Sequence, residues 1–515
     1  MDFLLLYFDR ITFDEGSGSF RDGYCRNFIG RDIAAPRYIS ENQVQEETQL
    51  TKYTGRLEKK FATWNHLNIY YNIGITGYYV LQPFSSIASL EQTIYAALSL
   101  VVHQHPILSV IIANISTPCP SFDNLPYFDL QNVVSIIDRQ RPYPSGDGRD
   151  VELDELLETP HNESFENDAN DVPFWRLLIL RNPVQGGDHT FTASFVYHPA
   201  IADGISGLVF HKHFLAALNS SPKPLRSAIT QTPKIPLLPE LEKHCSFPVC
   251  FSRLVKAFFE DKFSSLPRGI WAGAPASMKG QRRFRSATLS PSITSDFTAA
   301  CQSNGTTLQA TIQVLAAESL FSILPNKFKR VDCNIVVSLR GLLDELAVKE
   351  SMGVLSSSTL DQYDRSMFET DGFRWNEAHR SRDVIAVYHE LKGKDDMVGL
   401  LKYVKNYKKQ CWSKVGRPRV AGFEINNAGI FEEDRSVEIS DRIDEEETEE
   451  WKVGRMVFSQ SAGVLSAAVM ISIVIGGDGG LTLGYAWQKG AVDKTIVVKL
   501  MEKMQIGVKK LARSE

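Results

Sequence analysis

The spacing of apolar residues changes abruptly near residue 200, and the change marks the passage from a strand to a helix. Residues 191–196 are mostly aromatic or β-branched, which predicts a β-strand. Between 205 and 218 the apolar residues recur every three or four positions, which predicts a helix. The connection, 197–204, reads YHPAIADG. We therefore expect a histidine and an aspartate at a strand-to-helix turn, where a rigid scaffold can present them to a cleft.

The same two spacings recur along the rest of the chain and predict a mixture of strands and helices. Predicted strands cover 67–81, 133–138, 174–180, 284–289, 334–339, 422–430, 455–459, 467–475 and 481–487. Predicted helices cover 89–102, 251–263, 295–304, 306–324 and 493–511. The glycine-rich stretch from Gly476 to Gly480 predicts a hairpin turn between the last two strands. The pattern as a whole indicates an α/β protein.

Length and composition are those of a soluble protein with more than one domain. The chain has 515 residues, whereas single hydrophobic cores stop growing at about 250–300 residues. Hydrophobic residues make up 43% and charged residues 23%, which is an ordinary globular mixture. A net charge of −5 gives no electrostatic basis for binding nucleic acid. The longest apolar run, Val464 to Ile475, is interrupted by small and polar residues, so we expect no transmembrane segment.

Cysteine usage and the N-terminus indicate a cytoplasmic protein without a metal site. The cysteines are scattered, include no CxxC pair and cannot assemble four zinc ligands locally, so we interpret them as reduced thiols. Residues 1–8 are too few to span a bilayer and carry no basic lead, which argues against a secretory signal. The expected location is therefore the cytoplasm.

Prolines recur between 220 and 275, which indicates a long, mostly irregular connection. The predicted regions are an N-terminal extension at 1–48, a first domain at 49–220, the crossover at 221–283 and a second domain at 284–515. The extension lacks periodic apolar spacing. The acidic stretches 152–171 and 432–450 are interpreted as exposed loops, because like charges favour a solvated surface.

The segment 198–204, HPAIADG, resembles the HHxxxDG motif of the CoA-dependent acyltransferase superfamily. Further similar segments follow in the same order, at Gly55–Lys59, Asn68–Asn72, Gln104–Leu108, Phe174–Leu177, Ser338–Arg340, Asn426–Gly429 and Tyr485–Gln488. Over roughly residues 50–510 the chain resembles the fungal alcohol acetyltransferase-like family. This resemblance implies a two-domain α/β fold, in which mixed sheets are flanked by helices and a tunnel runs between the domains.

The resemblance also implies an activity. It is the transfer of an acyl group from an acyl thioester, CoA, to a hydroxyl or amine of a small lipophilic acceptor from fungal secondary metabolism. The expected enzyme is a monomer with no bound cofactor, for which acyl-CoA is a cosubstrate. An acyl carrier protein is the alternative donor, since the sequence contains no CoA-specific motif.

One position departs from the family pattern. The second histidine of the motif is the family's general base, and here Pro199 occupies its place. His198 fills the first position, and one step along a strand turns a side chain to the opposite face. Three interpretations of His198 follow: a substitute base, a structural histidine, or a group serving another reaction in the same cavity. The alternative function is therefore a ligand-binding protein, or a cyclase or pericyclase-type enzyme, that has lost acyl transfer.

The resemblance assigns roles to the neighbouring residues as well. Asp203 is expected to pair with Arg340 across the fold, although an aspartate there could also be a plain helix N-cap. Gly204 is expected to allow a tight turn. Asn427, in the segment similar to the family's Ser-Asn-x-Gly stretch, is the candidate donor to an oxyanion.

Overall fold

A computed structural model describes residues 51–513 except for 83–88, 145, 166–171, 183–186, 221–224, 226, 263–266, 344–347, 349, 370 and 434–449. The expectations for the extension 1–48 and for most of the acidic stretch 432–450 therefore lie outside the described residues.

The described chain contains both strands and helices, as the sequence pattern predicts. The strands are β1 Thr51–Tyr53, β2 Ile73–Gln82, β3 Val110–Ala113, β4 Ser121–Asn124, β5 Tyr127–Asp129, β6 Val134–Asp138, β7 Trp175–Asn182, β8 Gly187–Tyr197, β9 Ile229–Gln231, β10 Ile270–Trp271, β11 Arg282–Leu289, β12 Arg330–Ser338, β13 Ser356–Asp364, β14 Phe423–Ile430, β15 Glu450–Gln460, β16 Val469–Ile475 and β17 Leu481–Gln488. The helices are α1 Arg56–His66, α2 Leu90–Gln104, α3 Val151–Glu158, α4 Gly204–Asn219, α5 Leu241–His244, α6 Phe251–Lys262, α7 Pro291–Ser303, α8 Leu308–Ile323, α9 Trp375–Glu390, α10 Met397–Leu401, α11 Tyr407–Lys414 and α12 Lys494–Ala512.

Two large mixed sheets form the framework. The first has five strands in the order β15-β2-β8-β7-β6, with β6 and β7 parallel and the other pairs antiparallel. The second has seven strands in the order β10-β12-β14-β16-β17-β11, with β13 added beside β12. Strand β15 belongs to the second half of the sequence but pairs with β2 of the first half. The two halves are therefore joined through a shared sheet.

Each sheet covers its own buried core. The first core includes Phe195 of β8, Leu98 of α2 and Phe210 of α4. The second core lies between the seven-stranded sheet and helices α7, α8 and α12. Strand pleating places alternate residues on opposite faces. Phe423 and Ile425 of β14 therefore face the second core, whereas the intervening positions face the first.

The predicted elements are recovered with shifted ends, but the interpretation of 152–171 as an exposed loop is wrong for its first part, and 166–171 lie outside the described residues. Ser89 caps α2 as predicted, and the Gly476–Gly480 segment turns between antiparallel strands β16 and β17. The acidic stretch 152–171, by contrast, begins inside helix α3. Asp154 on that helix is 1% exposed and accepts hydrogen bonds from the Ser286 amide and hydroxyl. A charged residue can be buried where a distant strand supplies donors, which the local pattern does not show.

Among the described residues, one cysteine departs from its predicted state. Five described cysteines are free: Cys245, Cys250, Cys301, Cys333 and Cys411. Cys119 is disulfide-bonded, so the expectation of reduced thiols is wrong there. Spacing along the sequence cannot reveal a bond that depends on proximity in the fold. Within the described ranges no cluster of three His, Cys, Asp or Glu side chains could hold a metal ion. None of the helices described there has the length and apolar character needed to cross a bilayer.

Candidate functional site

A tight turn joins strand β8 to helix α4 and carries the HPAIADG segment. Strand β8 ends at Tyr197, and helix α4 begins at Gly204. The Ile201 amide donates to the carbonyl of His198 at 3.0 Å, which closes a four-residue turn with Pro199 in its second position. Proline is favoured there because its ring fixes φ near −65°. The turn therefore forms readily without a histidine at position 199.

Asp203 is buried and holds the start of helix α4 through both carboxylate oxygens. Its Oδ1 accepts hydrogen bonds from Ser206 N at 2.9 Å and Ser206 Oγ at 2.8 Å, which makes it the N-cap. Its Oδ2 accepts from Arg340 Nη1 at 2.6 Å and from Leu355 N at 3.1 Å. The N-cap and the ion pair were alternatives in the sequence, and the structure contains both.

The ion pair between Asp203 and Arg340 is enclosed. Asp203 is 5% exposed and Arg340 8%. The other guanidinium nitrogen, Nη2, donates to Ser206 Oγ at 3.0 Å and to Ser351 O at 3.3 Å. Burial alone would raise the pKa of Asp203, but the Arg340 charge and the hydrogen bonds outweigh it and hold that pKa below its ordinary value. The carboxylate therefore stays ionised and ties the turn to residues far along the chain.

Gly204 is required by packing rather than by turn geometry. Its φ lies outside the left-handed region, so the expected special turn conformation is absent. A Cβ at Gly204 would lie 2.9 Å from Cζ of Phe458 on β15, and one at Gly207 would lie 2.2 Å from Cγ1 of Ile75 on β2. The two glycines let helix α4 approach the five-stranded sheet closely.

The imidazole of His198 is buried among aromatic rings. It is 0% exposed, and its centroid lies 5.6 Å from that of Phe174 and 6.0 Å from that of Phe165. Its Nδ1 accepts a hydrogen bond from the Ala200 amide at 2.9 Å. Among the described residues, Nε2 has no hydrogen-bond partner.

The Ala200 hydrogen bond determines which ring nitrogen carries the proton. Because Nδ1 accepts, the neutral ring carries its proton on Nε2. Burial lowers the pKa of His198 to about 3, so the ring is neutral at pH 7. The lone pair that a general base needs is engaged at Nδ1, and the unpaired group is an N–H donor. This geometry favours a structural or donating role for His198 over the role of base.

The buried His198 should make the fold sensitive to acid. Its folded-state pKa lies below the ordinary value of 6.5, so between about pH 6.5 and 3 the unfolded chain binds the extra proton. The contribution is complete above pH 6.5 and is lost as the pH falls toward 3. Between pH 7.5 and 5 the unaltered chain should therefore lose about 2 kcal/mol more stability than the His198→Gln variant. Urea unfolding at the two pH values measures both losses.

A matched control for that measurement is His389→Gln, since the His389 residue is exposed. We expect that variant to lose stability with acid as the unaltered chain does. Equal pH dependence in the His198→Gln variant would contradict the assignment of a buried neutral ring.

Asn427 is hydrogen-bonded to a helix of the second half of the chain and to its own strand. Its Nδ2 donates to Oε1 of Gln309 on helix α8 at 3.1 Å, and its Oδ1 accepts from Gly429 N at 2.9 Å. Strand register shifts between Asn427 and Gly429, a bulge at which Gly429 adopts a φ of 98°. The described contacts of Asn427 thus lie on the helix side of the second sheet.

Glu424 is a buried carboxyl that the sequence patterns do not single out. It is 6% exposed and accepts a hydrogen bond from Nδ2 of Asn334 at 2.8 Å, across the parallel pair of β14 and β12. Burial raises the pKa of Glu424 to about 7, against smaller lowering effects from Asn334 and Lys60. A carboxyl that titrates near neutral pH has the proton affinity a general base needs.

Glu424 faces the first core, which also contains the aromatic residues around His198. Its cross-strand neighbour Met470 belongs to that core. Burial, followed by the nearby Glu424 charge, raises the pKa of Tyr70, another first-core residue. Burial lowers the pKa of Lys60 to about 8, and its Nζ lies 4.6 Å from the Trp64 ring centroid. A sequence signal existed: Glu424 precedes the Asn426–Gly429 segment by two residues, on the face that Asn426 shares.

A curated relative matches most of the chain, although no family model does. Over 461 residues the chain is 32% identical to "Probable alcohol acetyltransferase crmB" of Aspergillus fumigatus, which covers 85% of this chain and 95% of that protein.

Solved structures share the fold at low sequence identity. TRI3 trichothecene 15-O-acetyltransferase of Fusarium sporotrichioides matches 90% of this chain and 94% of its own, with a TM-score of 0.68 at 13% identity. The first condensation domain of the calcium-dependent antibiotic synthetase matches 90% and 96%, with a TM-score of 0.54 at 14% identity. Mixed sheets flanked by helices are common to all three, which confirms the predicted fold class.

Proposed function

The chain belongs to the fungal alcohol acetyltransferase-like family, and from that premise we propose that it transfers an acyl group from an acyl thioester to a hydroxyl group of a small lipophilic acceptor. The proposed donor is acyl-CoA, with an acyl carrier protein as the alternative. TRI3 is named as a 15-O-acetyltransferase of a trichothecene, which supports a hydroxyl over an amine and a secondary metabolite as the acceptor.

The observation that carries the proposal is the buried clamp on the motif turn. Arg340 Nη1 lies 2.6 Å from Asp203 Oδ2, and the same aspartate caps helix α4. A buried ion pair is costly to maintain and contributes little net stability, so its value lies in fixing geometry. The clamp holds the strand-to-helix turn where the family's motif would meet substrate.

The base in the proposed reaction is Glu424 rather than His198. Acyl transfer needs a group that takes the hydroxyl proton as the oxygen attacks the thioester carbonyl. Burial raises the pKa of Glu424 to about 7, so that carboxylate can take a proton near neutral pH. The accepting nitrogen of His198, Nδ1, is already occupied by a hydrogen bond from the Ala200 amide. The Nε2–H of His198 is then a donor that could stabilise the oxyanion formed on that carbonyl.

A thiol-release assay tests the proposal. The purified chain is incubated with acetyl-CoA and longer acyl-CoAs in the presence of a panel of alcohols, and free thiol and ester mass are measured. We expect acceptor-dependent thiol release above the rate without alcohol, because hydrolysis alone needs no acceptor. Absence of any acceptor-dependent release across donors and alcohols would reject acyl transfer from CoA.

The occupied lone pair of His198 favours one alternative. With Pro199 in the base position and Nδ1 bonded to Ala200, a protein of this family could bind a ligand, or catalyse a cofactor-free cyclisation, without transferring an acyl group. Ligand binding without thiol release in the same assay would support that alternative.

A further inference from the structure

A cleft formed mainly by the second half of the chain is lined by four cationic side chains. Its volume is about 880 Å³, which lies in the range of small-molecule sites. The cationic lining residues are Lys279, Arg282, Arg419 and Lys489, and the other residues lining it are uncharged. The whole chain carries a net charge of −5, so this concentration of positive charge is local. We call this surface the cationic cleft.

Arg419 is buried in the wall of the cationic cleft without a carboxylate partner among the described residues. It is 3% exposed, and its hydrogen bonds go to neutral acceptors. Those acceptors are the carbonyls of Ala274, Gly463 and Val464 and Oε1 of Gln488 at 2.6 Å. Burial lowers the pKa of Arg419 to about 10, so the guanidinium remains charged at neutral pH. Its charge is fixed in place but not neutralised.

Arg282, another residue of the lining, shows the same arrangement. It is 6% exposed, its Nη2 donates to the Asn68 carbonyl, and its guanidinium lies 4.0 Å from the Tyr71 ring centroid. Its Nε is buried without a hydrogen-bond partner in the part of the chain that the structure describes. Burying a cation without a counter-charge is unfavourable, which argues that the site is completed by an anion.

Two exposed lysines stand at the rim. Lys279 and Lys489 are both exposed, and none of the described carboxylates forms a salt bridge with either. Gly280 lies between Lys279 and Arg282 in the sequence and has a φ of 114°. A Cβ there would lie 2.2 Å from the Lys489 carbonyl oxygen, so the glycine lets the two rim segments meet.

We propose that the cationic cleft binds a phosphorylated ligand through its phosphate groups. Two fixed guanidinium groups and two mobile ammonium groups can share a charge of about −2 or more, and clefts of one sign concentrate the opposite ion. The cleft is large enough for a nucleotide-sized molecule rather than for phosphate alone.

The position of the cleft connects it with the proposed acyl transfer. Asn162 lines the cleft, and Phe165, three residues later, packs against the His198 ring. Three residues span at most about 11 Å, so the cleft lies close to the aromatic residues that surround His198. Identification of the ligand as the phosphorylated end of a CoA thioester rests on the proposed function, whereas phosphate binding itself does not.

Titration calorimetry of the full chain at low salt tests the proposal with three probes: inorganic phosphate, adenosine 3′,5′-bisphosphate and coenzyme A. We expect the bisphosphate and coenzyme A to bind, and Lys279→Gln with Lys489→Gln to weaken both about tenfold. Binding should also weaken as salt rises, because rim charges are screened. If inorganic phosphate binds as tightly as the larger probes, the cleft is a site for free phosphate. Phosphate binding is then confirmed, and the identification of the ligand as coenzyme A is rejected.

The matched control is Lys402→Gln with Lys499→Gln, which removes the same charge from exposed positions outside the lining. Equal weakening in both double variants, or no binding of any probe by the unaltered chain, overturns the proposal. Arg419→Gln, checked for folding by circular dichroism, should abolish bisphosphate binding. A chain that binds the bisphosphate but releases no thiol contradicts acyl transfer and leaves the cleft's assignment intact.

Discussion

Replacing Arg340 by alanine is expected to lower the free energy of unfolding by about 3–5 kcal/mol. The change leaves the carboxylate of Asp203, which is 5% exposed, without its counter-charge. It also removes donors to Ser206 Oγ and to the Ser351 carbonyl. A buried unpaired charge is among the largest penalties a single substitution can impose. Chemical denaturation at pH 7.5 measures the loss.

The matched control is Arg141→Ala, which breaks an ion pair whose side chains are 54% and 61% exposed. That change should cost less than about 1 kcal/mol, because solvent screens the pair. Asp203→Asn combined with Arg340→Ala should lose less than the sum of the single changes, since the two residues share one interaction. A loss from Arg340→Ala no larger than the control's would contradict a stabilised charge at Asp203.

The strand-to-helix turn was predictable because its signals are local. Strand β8 and helix α4 follow from a change in apolar spacing, and the capping role of Asp203 follows from residue type. Helix α3 was missed because its sequence is dominated by acidic residues. Its apolar positions Leu153 and Leu157 are four apart, but the buried Asp154 is held by Ser286, far along the chain, as well as by the nearby Arg149. A run of charged residues indicates an exposed surface only where no residue distant in the sequence binds those charges in the fold.

The residues of the candidate site likewise fall into those that the sequence reveals and those that it does not. The Asp203–Arg340 contact came from resemblance, because residues 137 positions apart give no local signal. Glu424 was missed since its significance depends on Asn334 in the neighbouring strand and on its burial against the first core. The tautomer of His198 depends on the turn made by Pro199, which directs the Ala200 amide at Nδ1. A sequence motif names these residues but does not fix their protonation.

The second large effect is expected at Glu424. If it is the base, Glu424→Gln should lower kcat/KM for acyl transfer by about 10²–10⁴-fold, since a positioned base contributes that much. The glutamine oxygen can still accept from Asn334, so folding should be retained. In the unaltered chain the rate should rise as the pH passes through about 7, where the carboxyl ionises, and the variant should lose that rise. His198→Ala should keep that rise with pH, because the lone pair of His198 is already engaged and the ring contributes a donor rather than the base.

The control for these rates is Glu318→Gln, which removes another carboxyl whose pKa burial raises, on helix α8. Turnover of that variant should match the unaltered chain. A loss of 10²-fold or more in His198→Ala, with Glu424→Gln unaffected, would move the base back to His198.

Restoring the family's histidine should compensate for the missing carboxylate. The second position of the motif turn needs a φ near −60°, which residues other than proline also adopt, so Pro199→His should fold. The new imidazole would stand where the family places its base, and a neutral imidazole can accept the hydroxyl proton. In the Glu424→Gln background we expect Pro199→His to raise acyl transfer at least about tenfold. Failure of the rescue in a folded, bisphosphate-binding variant would show that the turn at 199 does not reach the acceptor hydroxyl.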